Sequence, residues 1–157
     1  MKARDPLSSL DPGGGPVVTP RSILALLLMV LGLAVVVYYY LAVRPGANDL
    51  DPKTFKPVYG GISVFGDLKK WTYVIGFGAF LLGLVVAAHP STPLGRGRGV
   101  VVGMLGCFLV GLLWICTYYV FSNNLDKVPV FNDLGQYNLM LGIGFMAVGF
   151  TYATRWE

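Results

Sequence analysis

The sequence predicts an all-α membrane protein, four transmembrane helices arranged as two repeated helical hairpins. Three observations predict it. Hydrophobic residues make up 55% and charged residues 13% of the 157 positions, whereas a soluble domain carries about 25% charged residues. Four runs contain no charged residue at all: 22–43, 71–88, 99–121 and 137–154. Each is about as long as a bilayer crossing, which takes roughly 17–25 apolar residues. Finally, the chain repeats itself. Val64-Phe65-Gly66-Asp67-Leu68, Trp71, Gly76-Phe77-Gly78 and Gly83 return, in order and spacing, as Val130-Phe131-Asn132-Asp133-Leu134, Tyr137, Gly142-Ile143-Gly144 and Gly149. Gly32-Leu33 and Tyr39-Tyr40 return at a larger offset as Gly111-Leu112 and Tyr118-Tyr119. The two offsets place extra residues between the helices of the first hairpin, and a unit that recurs this regularly constrains the fold.

Residues 1–20 are polar, rich in Pro, Gly and Ser, and without helical period, so they read as a disordered tail. Residues 21–90 read as the first hairpin, with helices at about 22–43 and 71–88. The first run exceeds the apolar region of a signal peptide, about 7–15 residues. It also ends in Tyr38-Tyr39-Tyr40, which suits cleavage poorly. A retained anchor is the expectation. Residues 91–98 form a linker punctuated by Pro93, Gly95 and Gly97. Residues 99–157 read as the second hairpin, with helices at about 99–121 and 137–154. The β-prone stretches 58–65 and 128–131 predict a short β element in the loops outside the membrane.

The formal net charge is +4. Arg21, Arg44, Lys69, Lys70, Arg96, Arg98 and Arg155 flank the helices, as expected of ends meeting anionic headgroups. They form no stripe suited to nucleic acid. Lys and Arg divide evenly between the two sides, so charge sets no orientation. No ionisable side chain other than Tyr or Cys lies inside a run, which weighs against ion-coupled transport. Cys107 and Cys116 fall on opposite faces of the third helix and cannot pair within it. His89, the single histidine, stands at a helix end. No catalytic cluster, phosphate loop or metal-ligand spacing is present, so the expectation is a non-enzyme without cofactor, metal or small-molecule substrate. A favourable helix dipole accounts for Asp67 and Asp133.

The recurring small residues Gly76, Gly83, Gly142 and Gly149 predict close helix packing, which drives association in lipid. A stripe of this kind serves either the chain's own hairpins or a partner's helix, and the sequence leaves both open. Trp71, Tyr73, Trp114, Tyr118, Tyr119 and Asn138, with Trp156 near the end of the chain, are the candidate partner interface.

The second half reads Gly111-Leu112-Leu113-Trp114, Tyr118-Tyr119, Val128-Pro129, Gln136-Tyr137-Asn138, Gly142-Ile143-Gly144-Phe145-Met146 and Arg155-Trp156. This resembles the CrgA family of small cell-division membrane proteins, typically a single two-helix hairpin, in a tandem version. The copies depart from the pattern differently. The first keeps Trp71 and Tyr73 around Thr72, while the second keeps Asn138 between Tyr137 and Leu139; Val35 stands where the second copy has Trp114. The resemblance implies non-catalytic scaffolding or regulation of the divisome during septation. It implies membrane lipids, other divisome membrane proteins, FtsZ and the septal peptidoglycan machinery as partners or context. It also implies a multi-pass protein of the plasma membrane, enriched at the septum, with both termini cytoplasmic. A small four-helix transporter, or a structural membrane protein without a division role, is the alternative from the residues alone.

Overall fold

The computed structural model describes residues 17–46 and 49–155, and among these it is all-helical without strands. Helix α1 runs Pro20–Tyr38 and widens into a π turn over Tyr39–Val43. Its start follows from a capping box, in which the Thr19 hydroxyl accepts from the Ser22 N–H and the Ser22 hydroxyl oxygen accepts from the Thr19 N–H. Pro20 occupies the first turn, where its missing donor costs nothing. A short helix, α2 (Ser63–Leu68), leads into α3 (Trp71–Ala87). A 3₁₀ turn at Pro93–Gly95 precedes α4 (Arg98–Val120). A second 3₁₀ segment, Ser122–Lys127, leads to α5 (Phe131–Leu134) and then α6 (Tyr137–Ala153).

Helix α1 packs along α3, and α4 along α6, which makes two hairpins; α3 and α6 then pack on each other. Glycine is required where these backbones approach. A Cβ on Gly76 would lie 2.9 Å from the Gly32 carbonyl oxygen and 2.6 Å from Val36 Cγ2. A Cβ on Gly142 would lie 3.1 Å from the Gly111 carbonyl oxygen. These are corresponding positions in the two halves. Gly83 lies against Ala25 and Met29, and Gly149 against Phe108. All four glycines therefore serve the chain's own hairpins.

The turns that aim α3 and α6 also correspond. Lys69 (φ 51°, ψ −131°) and Gly135 (φ 51°, ψ −123°) share one backbone conformation. The next helix is then anchored to the preceding short one, by Thr72 Oγ1 donating to the Phe65 carbonyl at 3.3 Å and by Asn138 Nδ2 donating to the Phe131 carbonyl at 2.8 Å.

The predicted β element is absent among the described residues. Residues 63–65 enter α2, and in the first connection an isolated bridge joins Leu50 to Pro57. In the second connection Pro129 offers no N–H, and Val130 turns to φ 69°, which ends any extended path. The N-terminal tail lies largely, and Trp156 wholly, outside the described residues.

Two helical segments, Pro20–Val43 and Arg98–Val120, are long and apolar enough to cross a membrane; Trp71–Ala87 and Tyr137–Ala153 are shorter apolar helices. The outward faces of α1 and α4 carry exposed Leu27, Leu31, Leu105, Leu109 and Leu113. An apolar surface this continuous marks membrane association.

Candidate functional site

The hairpins meet at a polar junction built by residues far apart in sequence. Arg44 ends the π turn of the first hairpin, and Asp133 sits in α5 of the second. Arg44 Nη1 lies 3.1 Å from Asp133 Oδ2 and 3.4 Å from Asn132 Oδ1. The Tyr73 hydroxyl, from the first turn of α3, donates to the same Asp133 oxygen at 2.7 Å. The Arg44 guanidinium also stacks over the Tyr40 ring, 4.3 Å from its centroid. Burial works to lower the Arg44 pKa, but the Asp133 charge and hydrogen bond outweigh it and the net shift is upward.

Beneath this junction lies an aromatic layer. Tyr39 and Tyr73 meet edge to face with centroids 4.8 Å apart. Phe77 meets Trp114 at 5.8 Å, and Trp114 stacks on Phe131 at 4.5 Å. The Trp114 indole N–H donates to Asn138 Oδ1 at 3.2 Å, so the Asn138 side chain joins α4 to the loop before α6. At the opposite end of the bundle the Tyr152 hydroxyl donates to the Leu84 carbonyl at 2.9 Å, a further hydrogen bond across the hairpins.

These bridges are one-sided. Leu139 stands at the position corresponding to Tyr73, Asn123 at that of Arg44, and Val86 at that of Tyr152. Asp67, the counterpart of Asp133, is exposed. Each half therefore supplies part of the junction.

The candidate interface residues separate into two groups. Tyr73 and Asn138 are fully buried and Trp114 is half-buried, so their contacts are internal. Trp71 is 69% and Tyr119 60% exposed, and these two face outward at the loop-side helix ends, with Tyr118 half-buried against Tyr119. Asp133 does more than favour a helix dipole: it is the shared acceptor of the junction. Sequence reasoning passed over Arg44 as a flanking cation. The available signal was an Arg and an Asp in two connections that a four-span topology puts on one side. No group of side chains suited to a metal ion occurs among the described residues.

The family model for cell division protein CrgA matches twice, over residues 15–89 and again over 92–157. The chain belongs to the CrgA family. Each match takes in one hairpin. A CrgA protein from Streptomyces avermitilis is 39% identical over 64 residues, 41% of this chain and 71% of that protein. A CrgA protein from Corynebacterium aurimucosum is 32% identical over 54 residues, 34% of this chain and 56% of that protein. No solved structure matches. The CrgA membership ties the chain to cell division, and its apolar helices tie it to the membrane.

Proposed function

We propose that this chain is a non-catalytic divisome scaffold, a tandem CrgA unit that crosses the plasma membrane four times. Both termini are cytoplasmic, the hairpin connections lie outside, and the protein gathers at the septum. The observation that carries the reading is the pair of CrgA matches, one per hairpin, combined with a junction to which each hairpin gives different residues. Two copies fixed in one orientation present two unlike lipid-facing surfaces, which suits holding two partners side by side.

Four spans are consistent with the helix lengths. Helices α3 and α6 have 17 residues each, about 26 Å at 1.5 Å per residue. That falls slightly short of a hydrocarbon core about 30 Å thick. Lys69 and Lys70 before α3, and modest bilayer thinning, absorb the difference. Each short helix also lies along a longer spanning partner. Exposed Trp71 and Tyr119 are the contacts assigned to divisome membrane proteins, and the cytoplasmic termini give access to FtsZ.

Photo-crosslinking from within dividing cells tests this reading. A benzophenone side chain at position 71 or 119 is expected to capture division membrane proteins, and one at buried position 73 to capture none. Labelling of a cysteine placed at Lys53 is expected from outside the cell only. Capture of no division protein from positions 71 and 119, or labelling at 53 from the cytoplasm alone, would overturn the proposal.

A further inference from the structure

We propose that the first connection binds a phosphodiester headgroup whose alcohol part carries an O–H or N–H donor. The site is a groove of about 570 Å³ lined by Lys56, Tyr59, Ser63, Asp67 and Lys69.

The groove is built. Residues 49–58 fold back on themselves, with the Asp51 N–H donating to the Lys56 carbonyl at 3.0 Å and the Val58 N–H to the Asp49 carbonyl at 2.8 Å. The Asp51 carboxylate secures the tip by accepting from the Lys53 N–H at 2.8 Å and the Thr54 hydroxyl at 2.9 Å. These bonds fix where Lys56 stands. On the other wall Gly66 lies so close to Tyr59 that a Cβ there would approach the Tyr59 Cβ to 3.0 Å. The Gly60 N–H, donating to the Val43 carbonyl at 3.0 Å, ties the groove to the end of the α1 span.

Lys69 points to a ligand. Its backbone sits at φ 51°, ψ −131°, a region that disfavours any residue but glycine. The corresponding turn of the second hairpin makes the same conformation with Gly135, so the turn itself needs no side chain. Strain of this kind, held where an unstrained residue would serve, is characteristic of a functional position. Lys69 is exposed, and neither it nor Lys56 makes an ion pair among the described residues.

The chemistry of the lining selects the ligand. Two ammonium groups and two hydroxyls suit phosphate oxygens, to which charge-assisted hydrogen bonds are strong. The Asp67 carboxylate repels a bare anion but accepts a hydrogen bond from a hydroxyl or amine on the same molecule. Glycerol and ethanolamine headgroups offer that donor, whereas choline does not. Lys69 and Lys70 directly precede Trp71, which is exposed at the helix end where tryptophan marks headgroup depth. The groove therefore opens at the level of lipid phosphates.

Native mass spectrometry of the full chain in detergent tests this, using short-chain phosphatidylglycerol, phosphatidylethanolamine and phosphatidylcholine. The first two are expected to bind about tenfold more tightly than the third. Lys56→Ala and Lys69→Gly are each expected to weaken phosphatidylglycerol about three- to tenfold. Lys53→Ala, outside the groove, is expected to change nothing, and Asp67→Ala to bring phosphatidylglycerol and phosphatidylcholine close to parity. Lys69→Gly takes up the conformation of Gly135 without strain, so an unchanged or higher melting temperature with weakened binding separates recognition from folding. Displacement by glycerophosphoglycerol, the same headgroup without acyl chains, assigns recognition to the headgroup alone. Failure to displace assigns it to the intact bilayer lipid. Equal binding of phosphatidylcholine and phosphatidylglycerol, or wild-type affinity in both lysine variants, would overturn the proposal.

Discussion

Asp133→Ala removes two interactions at once, and their sizes can be worked from the geometry. The ion pair with Arg44 spans 3.1 Å between side chains 27% and 24% exposed. Solvent screens a pair at that exposure, which leaves about 0.5–1 kcal/mol. The Tyr73 hydroxyl bond is shorter, at 2.7 Å, and Tyr73 is wholly buried. A hydrogen bond to a charged group contributes about 1.5–3 kcal/mol, and its loss leaves a buried hydroxyl unpaired. The substitution should therefore cost about 2–4 kcal/mol, and Asp133→Asn, which keeps an acceptor, about half of that. Reversible unfolding in mixed micelles, followed by helical circular dichroism, provides the scale. Double-mutant cycles then separate the two bonds. Tyr73→Phe with Asp133→Ala should couple by about 1.5–3 kcal/mol, and Arg44→Ala with Asp133→Ala by about 0.5–1 kcal/mol. Coupling within about 0.3 kcal/mol of zero in both cycles would refute a joining role for the junction.

Gly76→Ala should destabilise the first hairpin by about 1–3 kcal/mol through overpacking on Val36 and the Gly32 carbonyl. Gly78→Ala, where a Cβ meets nothing within 4 Å, should be neutral or stabilising by up to about 1 kcal/mol in the same assay. Gly135→Ala should cost about 1 kcal/mol or more, because φ is positive there; its effect on the melting temperature gives the check. His89 is held below its ordinary pKa of 6.5 by desolvation and by the nearby charges of Arg21 and Arg155. A depressed histidine pKa means that the unfolded chain binds protons more readily, so stability should fall as pH drops below about 6.5 and level off below the folded-state value. His89→Gln should flatten that dependence in pH-resolved melting curves.

The all-helical class was legible because charge is absent over whole helix-length runs, a signal that depends on composition alone. The glycine stripes were legible as packing surfaces, but which helix each would meet was not. That depends on the hairpin pairing now seen in the Gly32–Gly76 and Gly111–Gly142 contacts. Tyr73 read as an interfacial aromatic because it follows Trp71 at a helix end. In the fold the second hairpin docks on the first, and Tyr73 is buried between Tyr39 and Asp133. Arg44 and Asp133 were hidden for the same reason: their pairing comes from how one hairpin docks on the other, which neither periodicity nor the repeat encodes. The β-prone stretches misled because local propensity yields to the short helices that aim α3 and α6.

Time-lapse imaging of a functional fluorescent fusion, before and after depletion of FtsZ, tests the scaffold role most directly. The predicted result is a ring at the division site that disperses when FtsZ is lost. A uniform membrane signal throughout the cell cycle, indifferent to FtsZ, would contradict it.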